Sequence, residues 1–264
     1  MNIIKKLGGS SSAEKSVPKA YRKLGIDATR GGIDFPPSSE KTFVTNRYGG
    51  LICEKNFTFK VVPREATSWI VNTPYKTLDD LYEISLEPLP KDQIEEEHFI
   101  RVSKCKRAFE KEGVVFCDCL SLILDGTISI LGWSLFVRAR YQAIDELRRL
   151  MEKIASIESI KAKVDAELDF PAVMYGDDIA YKNGLMIDPK FLRREWAPLV
   201  KKVIKPLKKR NIKVLFHSDG NLEGFIEDII DMGFDGLNPI EPVSYTHLRA
   251  HETSLHLVCR LLLE

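Results

Sequence analysis

The chain has 264 residues, of which 44% are hydrophobic and 29% charged, and its formal net charge is +1. This length suits one large domain with a substantial core, and the near-neutral charge gives no reason to expect nucleic acid or an acidic membrane as partner. No apolar run approaches the roughly 20 residues that span a bilayer, and the N-terminus lacks a signal-peptide core. The five cysteines show neither zinc-ribbon nor disulfide spacing. We therefore expect a cytoplasmic protein with reduced thiols.

The N-terminal part predicts few regular elements. Residues 1–20 are rich in Lys, Ser and Gly and are expected to be loose. Residues 48–69 alternate short β-type runs with turn residues, which predicts a hairpin. A helix is predicted over 96–112, and a β-type run follows at 114–117.

The rest of the chain alternates helices and strands. Helices are predicted from apolar periodicity and strands from short apolar runs. In chain order they are helices 132–141 and 145–166, strand 172–175, helix 189–210, strand 213–217, helix 221–232 and strand 234–237. This order favours right-handed parallel crossovers, and hence an α/β sheet or barrel.

The strand 213–217 ends in polar residues that are our first candidates for a catalytic site. Side chains alternate across a strand, so His217 and Asp219 should project from the same face. Ligands bind at the carboxyl ends of parallel strands, which favours a catalytic role for this pair. The alternative is that His217 only caps or hydrogen-bonds the strand end.

Asp177 and Asp178 end the preceding strand and are also catalytic candidates. Because adjacent residues point to opposite sides, at most one should face the mouth of a barrel while the other caps the following loop. A carboxylate near His217 could raise its pKa, serve as a general base, or orient it. Capping alone is the alternative. Residues predicted to bind substrate near the same strand ends are Tyr175, Asn221, Asn238 and Glu241.

Residues 243–264 resemble translated sequencing-adapter sequence, over Val243–Thr253 and again over Leu257–Glu264. The resemblance implies a non-native tail and a natural chain cut at or near Pro242, as in a gene predicted on a metagenomic read. His247 and His251 have the spacing of two metal ligands on one helix face, but on this interpretation they have no function.

With the tail set aside, only His98 and His217 remain as histidines. His98 follows three glutamates, Glu95 to Glu97, and is expected at the surface. His217 therefore becomes the more distinctive of the two. Cys117 and Cys119 flank Asp118 at another strand end, and we expect them to be small buried hydrophobes rather than metal ligands.

Four segments carry a family resemblance: residues 176–178, 183–185, 214–221 and 236–242. In their order and spacing they are similar to the uroporphyrinogen decarboxylase superfamily, which includes cobamide-dependent methyltransferases. The resemblance weakens toward the N-terminus. It implies a TIM (β/α)8 barrel, incomplete because the chain is truncated at its C-terminus, in a domain of residues 1–242.

The methyltransferase branch implies a metal site at the end of strand 213–217. In that branch the strand ends in His-x-Cys-Gly, where the His and Cys bind zinc, and the metal activates a thiol that accepts a methyl group from a corrinoid. His217 keeps the histidine, whereas Asp219 replaces the cysteine. A histidine with a carboxylate still suits zinc, and a later family ligand would lie beyond Pro242. Alternatively, Asp219 bonds His217 or substrate directly, without metal.

The resemblance thus implies an enzyme, with three hypotheses left open. The first is a methyltransferase that moves a methyl group between a corrinoid on a partner protein and a thiol or other small acceptor, with zinc. The second is a metal-free decarboxylase of a carboxylated tetrapyrrole, although the chain lacks the Gln-Ala-Gly-Arg segment of that branch. The third is a non-functional fragment, because such a barrel typically needs about 250 residues.

Overall fold

The computed structural model describes residues 3–9, 12–30, 32–33, 41–62, 67–121 and 123–240. The N-terminal elements are α1 (Ile3–Gly8), α2 (Ala13–Lys23), β1 (Ala28–Thr29), β2 (Lys41–Tyr48), β3 (Leu51–Val62), β4 (Thr67–Asn72), α3 (Leu78–Tyr82), β5 (Leu86–Pro88) and α4 (Lys91–Glu110). Then follow β6 (Val115–Phe116), β7 (Cys119–Ser121), α5 (Ile123–Gln142), α6 (Ile144–Glu167), β8 (Ala172–Gly176), β9 (Ala180–Tyr181), β10 (Gly184–Leu185), α7 (Pro189–Phe191), α8 (Ala197–Lys209), β11 (Lys213–His217), α9 (Ile226–Met232) and β12 (Gly236–Asn238). Glu241 and the predicted tail, 243–264, lie outside the described residues.

A parallel sheet organises the second half of the chain, with strand order β7-β8-β11-β12. β6 and β7 lie two residues apart and together connect β1 to the sheet. β6 pairs in parallel with β1, and β7 pairs in parallel with β8. The Cys117 amide donates to the Thr29 carbonyl at 2.9 Å, and the Met174 amide donates to the Asp118 carbonyl at 2.8 Å. Five successive parallel segments therefore follow chain order, and the predicted α/β class is confirmed.

One face of this sheet packs against helices. Val214 and Phe216 of β11 are fully buried, and Phe216 lies against Trp196 with ring centroids 5.8 Å apart. Trp196 ends the π-helical turn Leu192–Trp196, which joins α7 to α8. The alternate residues of β11, Leu215 and His217, are only partly buried. His217 therefore lies on the face opposite the one that packs against Trp196.

The hairpin predicted over 48–69 is confirmed as part of an antiparallel sheet. β2 pairs with β3, and β3 also pairs with β4 and with β5. The two-residue turn Gly49–Gly50 joins β2 to β3, and Gly49 has a φ of +58°. Such a positive φ is what glycine adopts at little steric cost.

The expectation of a loose N-terminus is wrong for the helices at residues 3–8 and 13–23. α2 buries Val17 and Ala20, and Tyr21 packs on Phe109 of α4 with ring centroids 5.5 Å apart. These apolar positions recur at helical spacing among lysines and serines. The composition of residues 1–20 predicted a loose segment, but the helical spacing of the apolar residues in α2 lets them pack against α4.

The starts of two further predicted helices can be compared with the structure. The helix predicted from Gly132 begins at Ile123, and Gly132 instead marks a kink with φ of +74° and ψ of 154°. The helix predicted over 189–210 begins as expected at Asp188, whose side chain accepts from the Lys190 amide. Pro206 lies inside α8 without ending it. Among the described residues, no helix has both the length and the apolar character needed to cross a membrane.

Candidate metal and active site

The carboxyl ends of four parallel strands meet in one row, which we call the carboxyl edge. Ser121 pairs with Gly176, Gly176 with His217, and His217 with Asn238. The polar residues that follow β8 and β11 in sequence are thereby brought side by side. The sheet thus assembles the edge at which the sequence predicted a site.

His217 is held in a defined orientation by Asn238. Its Nδ1 lies 2.9 Å from Asn238 Oδ1. An amide oxygen only accepts, so Nδ1 carries the proton and donates, which leaves Nε2 as the acceptor nitrogen of the neutral ring. A histidine oriented in this way presents Nε2 as a ligand atom, and the hydrogen bond through its other nitrogen is the usual support of a metal-bound imidazole.

The loop after β11 fixes the position of Asp219. Ser218 Oγ accepts from the Ile179 amide at 3.0 Å, and the Asp219 amide donates to Asp178 Oδ1 at 2.9 Å. Gly220 has a φ of +88°, and a Cβ there would lie 2.6 Å from the backbone of Tyr181. Any other residue would force the loop away, so glycine is required for this close approach.

Asp178, His217 and Asp219 form the candidate metal site. One ligand atom from each, a ring nitrogen or a carboxylate oxygen, lies within 4.8 Å of the other two. Asp219 is exposed, while Asp178 and His217 are half-buried, so a ligand from solvent can reach them. One nitrogen and two oxygens suit a catalytic divalent ion with an open coordination position. The residues therefore fit the zinc that the family resemblance implies.

Asp177 has a different place from its neighbour. It is fully buried; its Oδ1 accepts from the amides of Leu124 and Asp125 at the start of α5, both at 3.0 Å. Its Oδ2 accepts from Tyr175 Oη and Trp196 Nε1, both at 2.7 Å. The two aspartates thus face opposite ways, as alternation predicted. Asp177 therefore caps the start of α5 and links it to the end of β8. Its catalytic role stays a prediction.

Asp125 is a site residue that the sequence analysis missed. Its Oδ2 accepts from the Asp178 amide at 3.0 Å. Burial, and then the charges of Asp177 and Asp178, raise the pKa of Asp125 to about 7. Burial also raises the pKa of Asp177 to about 6, although its hydrogen bonds oppose the shift. Asp125 follows an apolar run as Asp177 follows β8, which is the one feature of the sequence that could have indicated it.

The raised pKa of Asp125 predicts a pH-dependent stability. Because the pKa of Asp125 is higher in the folded state than in the unfolded state, protonated Asp125 stabilises the folded state. This contribution is complete below about pH 4 and is lost as the pH rises through about 7. Asp125→Asn should therefore be more stable than the wild type at pH 8, by on the order of 1 kcal/mol, and lose this advantage toward pH 4. Urea unfolding at several pH values with a chelator present measures this effect.

The matched control for this experiment is Asp231→Asn, an exposed aspartate of α9. Its difference from the wild type should not change across the same pH range. An equal pH profile for Asp125→Asn and the wild type would contradict the assignment of the proton to Asp125.

The four residues predicted to bind substrate lie in different surroundings. Tyr175 is fully buried, and its hydroxyl is bonded to Asp177. Asn238 holds His217, and Asn221 Oδ1 accepts from the Glu223 amide at the start of the 3-10 turn before α9. Glu241 lies outside the described residues. Substrate contact by all four stays a prediction.

The prediction that His98 lies at the surface is wrong. Its side chain is buried between α4 and α6, where Nε2 lies 2.8 Å from Asp165 Oδ1. Arg101 Nη2 approaches Nδ1 at 3.2 Å. Arginine only donates, so Nδ1 accepts and the proton sits on Nε2, facing Asp165. Helical packing of α4 against α6 turns His98 inward, which the neighbouring glutamates did not reveal.

His98, Asp118 and Asp165 also bring their ligand atoms within 4.8 Å of one another. They nevertheless make a poor metal site. Nε2 of His98 is a proton donor in this network, and both oxygens of Asp118 accept from Arg101 at 3.0 and 3.1 Å. The carboxyl edge keeps its ligand nitrogen unprotonated, so it is the better of the two clusters. Cys117 and Cys119, expected to be buried, are only partly so.

Comparisons with known proteins bear on the segment that contains three of the four strands of the carboxyl edge. Residues 126–254 match the family described as uroporphyrinogen decarboxylase (URO-D). These residues belong to the URO-D family. The predicted family is thereby confirmed, and the URO-D segment includes β8, β11 and β12 with Asp178, His217 and Asp219. The match continues 12 residues past Pro242, from 243 to 254, into the segment predicted to be a non-native tail.

Most of the chain shares its fold with a solved structure. A methyltransferase from Methanosarcina mazei matches with a TM-score of 0.61 at 15% sequence identity. The match covers 91% of this chain and 68% of the methyltransferase. No curated protein sequence matches the chain. At this identity the structural match shows the fold alone, and it extends the likeness to the part of the chain that precedes the URO-D segment.

Proposed function

We propose that the protein is a corrinoid-dependent methyltransferase of the URO-D family, which moves a methyl group between a cobamide on a partner protein and a thiol or other small acceptor. The observation that carries the proposal is the donor set of Asp178, His217 and Asp219 at the carboxyl edge. The fold shared with a methyltransferase supports the same branch of the family.

The proposal includes a TIM barrel as the scaffold. The parallel strands β1, β6 with β7, β8, β11 and β12 follow one another in chain order, as successive strands of a (β/α)8 barrel do. Active sites of such barrels lie at the carboxyl ends of the strands. The carboxyl edge is therefore where this scaffold would place a methyl acceptor.

Each residue of the edge has a definite part in the proposed chemistry. A divalent ion held by Asp178, His217 and Asp219 would supply Lewis-acid stabilisation of an acceptor thiolate. Asn238 keeps the proton of His217 on Nδ1 and so keeps Nε2 available. Asp125 accepts from the Asp178 amide, so it lies beside the candidate ligands and is our candidate acceptor for the thiol proton.

A metal analysis of the purified chain tests the proposal. We expect about one zinc ion per chain after dialysis in zinc, and at least a tenfold loss of zinc affinity in His217→Ala, because one of three ligands is removed. Mass spectrometry of the metal content and competition with a chromophoric chelator measure this. The matched control is Asn183→Ala, an exposed loop residue near β10, which should bind zinc like the wild type.

The reaction is tested with free methylcobalamin and 2-mercaptoethanol, by following the corrinoid absorbance. Zinc-loaded wild type should demethylate the corrinoid, and His217→Ala should not exceed the uncatalysed rate. Metal-free protein that releases carbon dioxide from a carboxylated tetrapyrrole would overturn the proposal and favour the decarboxylase hypothesis.

A further inference from the structure

We propose a second ligand site, for a small amphiphilic carboxylate, between the β2–β3 turn, α4 and α6. A cavity of about 330 Å³ lies there, within the size range of small-molecule sites. Three cationic side chains line it, Arg47, Arg101 and Lys161, and the carboxylate on its wall is Glu97. His98 also lines it, with Nδ1 facing Arg101.

Arg101 is already ordered for binding an anion. Its Nη1 and Nη2 donate to the two oxygens of Asp118, and Nη2 also donates to His98 Nδ1. Those bonds use three of the five N–H groups, so Nε and one hydrogen of Nη1 are left for a ligand. The side chain is 52% exposed although Asp118 is buried. A fixed guanidinium loses little conformational entropy when it binds a carboxylate.

The other two cations can also reach a ligand at small cost. Arg47 pairs with Glu97, but their side chains are 41% and 46% exposed, and such surface pairs are weak. Lys161 donates to Glu158 at 2.7 Å and has two further ammonium hydrogens. An anion in the cavity would therefore add hydrogen bonds without breaking a buried pair.

A neighbouring cavity gives the ligand its apolar part. It measures about 220 Å³ and shares Gly49, Gly50 and Lys161 with the first. Its other walls are mainly apolar and comprise Tyr48, Leu51, Gly126, Ile154 and Ile157. The remaining lining residue is Glu158, whose buried carboxylate is paired with Lys161. A headgroup at Arg101 and Lys161 can thus extend an aliphatic body into the second cavity. This pairing of a cationic and an apolar space favours a short fatty or branched carboxylate over an inorganic anion.

The site does not depend on the proposed methyl transfer. The residues that line the two cavities do not include Asp178, His217 or Asp219. The apolar cavity reaches Gly126, the residue after Asp125. Failure of zinc binding would leave this inference standing, and the reverse is also true.

Binding of hexanoate to the intact chain, in the presence of a chelator, tests the inference. Isothermal titration and ligand-observed NMR should give a Kd of about 1 mM for hexanoate, as expected for a ligand of this size. Hexanamide, the neutral analogue, and acetate, which lacks the body, should each bind at least tenfold more weakly. Arg101→Gln should weaken hexanoate binding at least tenfold, whereas Arg138→Gln, on the exposed side of α5, should not change it.

Because Arg101 also holds Asp118, a second variant separates binding from folding. Arg47→Gln leaves the bonds of Arg101 intact, breaks only an exposed pair with Glu97, and should still weaken hexanoate binding by several-fold, with an unchanged melting temperature. The inference is overturned if wild type does not bind hexanoate, if hexanamide binds equally well, or if both variants bind hexanoate like the wild type.

Discussion

Asp177→Ala is expected to lower the free energy of unfolding by about 4 kcal/mol, the largest stability loss that we expect at the site. The substitution leaves four buried donors without their acceptor: the amides of Leu124 and Asp125, Tyr175 Oη and Trp196 Nε1. An unsatisfied buried donor costs about 1 to 3 kcal/mol. Burying the Asp177 carboxylate costs free energy, as its raised pKa shows. The substitution removes that desolvation cost, but the gain is smaller than the loss from four broken hydrogen bonds.

Urea unfolding at pH 7 with a chelator measures this loss, and Asp178→Ala is its matched control. Asp178 is the adjacent residue, half-buried, and it accepts from the Asp219 amide in an exposed loop. Its removal should cost less than about 1 kcal/mol, since water can replace it. Equal losses in the two variants would show that the four donors of Asp177 find other partners.

The same pair of residues shows what the sequence could predict. Strand alternation separates Asp177 from Asp178, and the order of helices and strands places His217 and Asp219 at a carboxyl edge. These inferences need only local geometry and the register of parallel strands. The structure has the strands predicted near Val114, Ala172, Ile212 and Phe234, each within about two residues.

Contacts between distant segments account for what the sequence could not predict. Asp125 becomes a site residue only because α5 begins beside Asp178, and His98 is buried only because α4 packs on α6. β1, with two residues, gives no apolar run, yet its amide and carbonyl groups pair with Val115 and Phe116. Each case depends on tertiary packing, which composition and periodicity do not encode.

Asp219 stands where the family motif has a cysteine. We expect Asp219→Cys to raise the affinity for zinc on the order of 100-fold, because thiolate is a softer zinc ligand than carboxylate and is preferred by the metal. A cysteine sulfur lies one bond nearer the backbone than a carboxylate oxygen. The longer Zn–S bond, about 2.3 Å against about 2.0 to 2.2 Å for Zn–O, partly makes up the difference. The loop that Gly220 and Ser218 hold in place need therefore move little.

Chelator competition for zinc measures the affinity, and cobalt substitution identifies the ligand. Cobalt-loaded Asp219→Cys should show a sulfur-to-metal charge-transfer absorption that the wild type lacks. The control is Asp231→Cys, an exposed position on α9, which should change neither zinc affinity nor the cobalt spectrum. If Asp219→Cys binds zinc no more tightly and shows no such absorption, position 219 does not contact the metal. That result would support the alternative in which Asp219 bonds substrate directly. Even without a metal, the Asp219 carboxylate near His217 can accept a hydrogen bond from a donor group of the substrate.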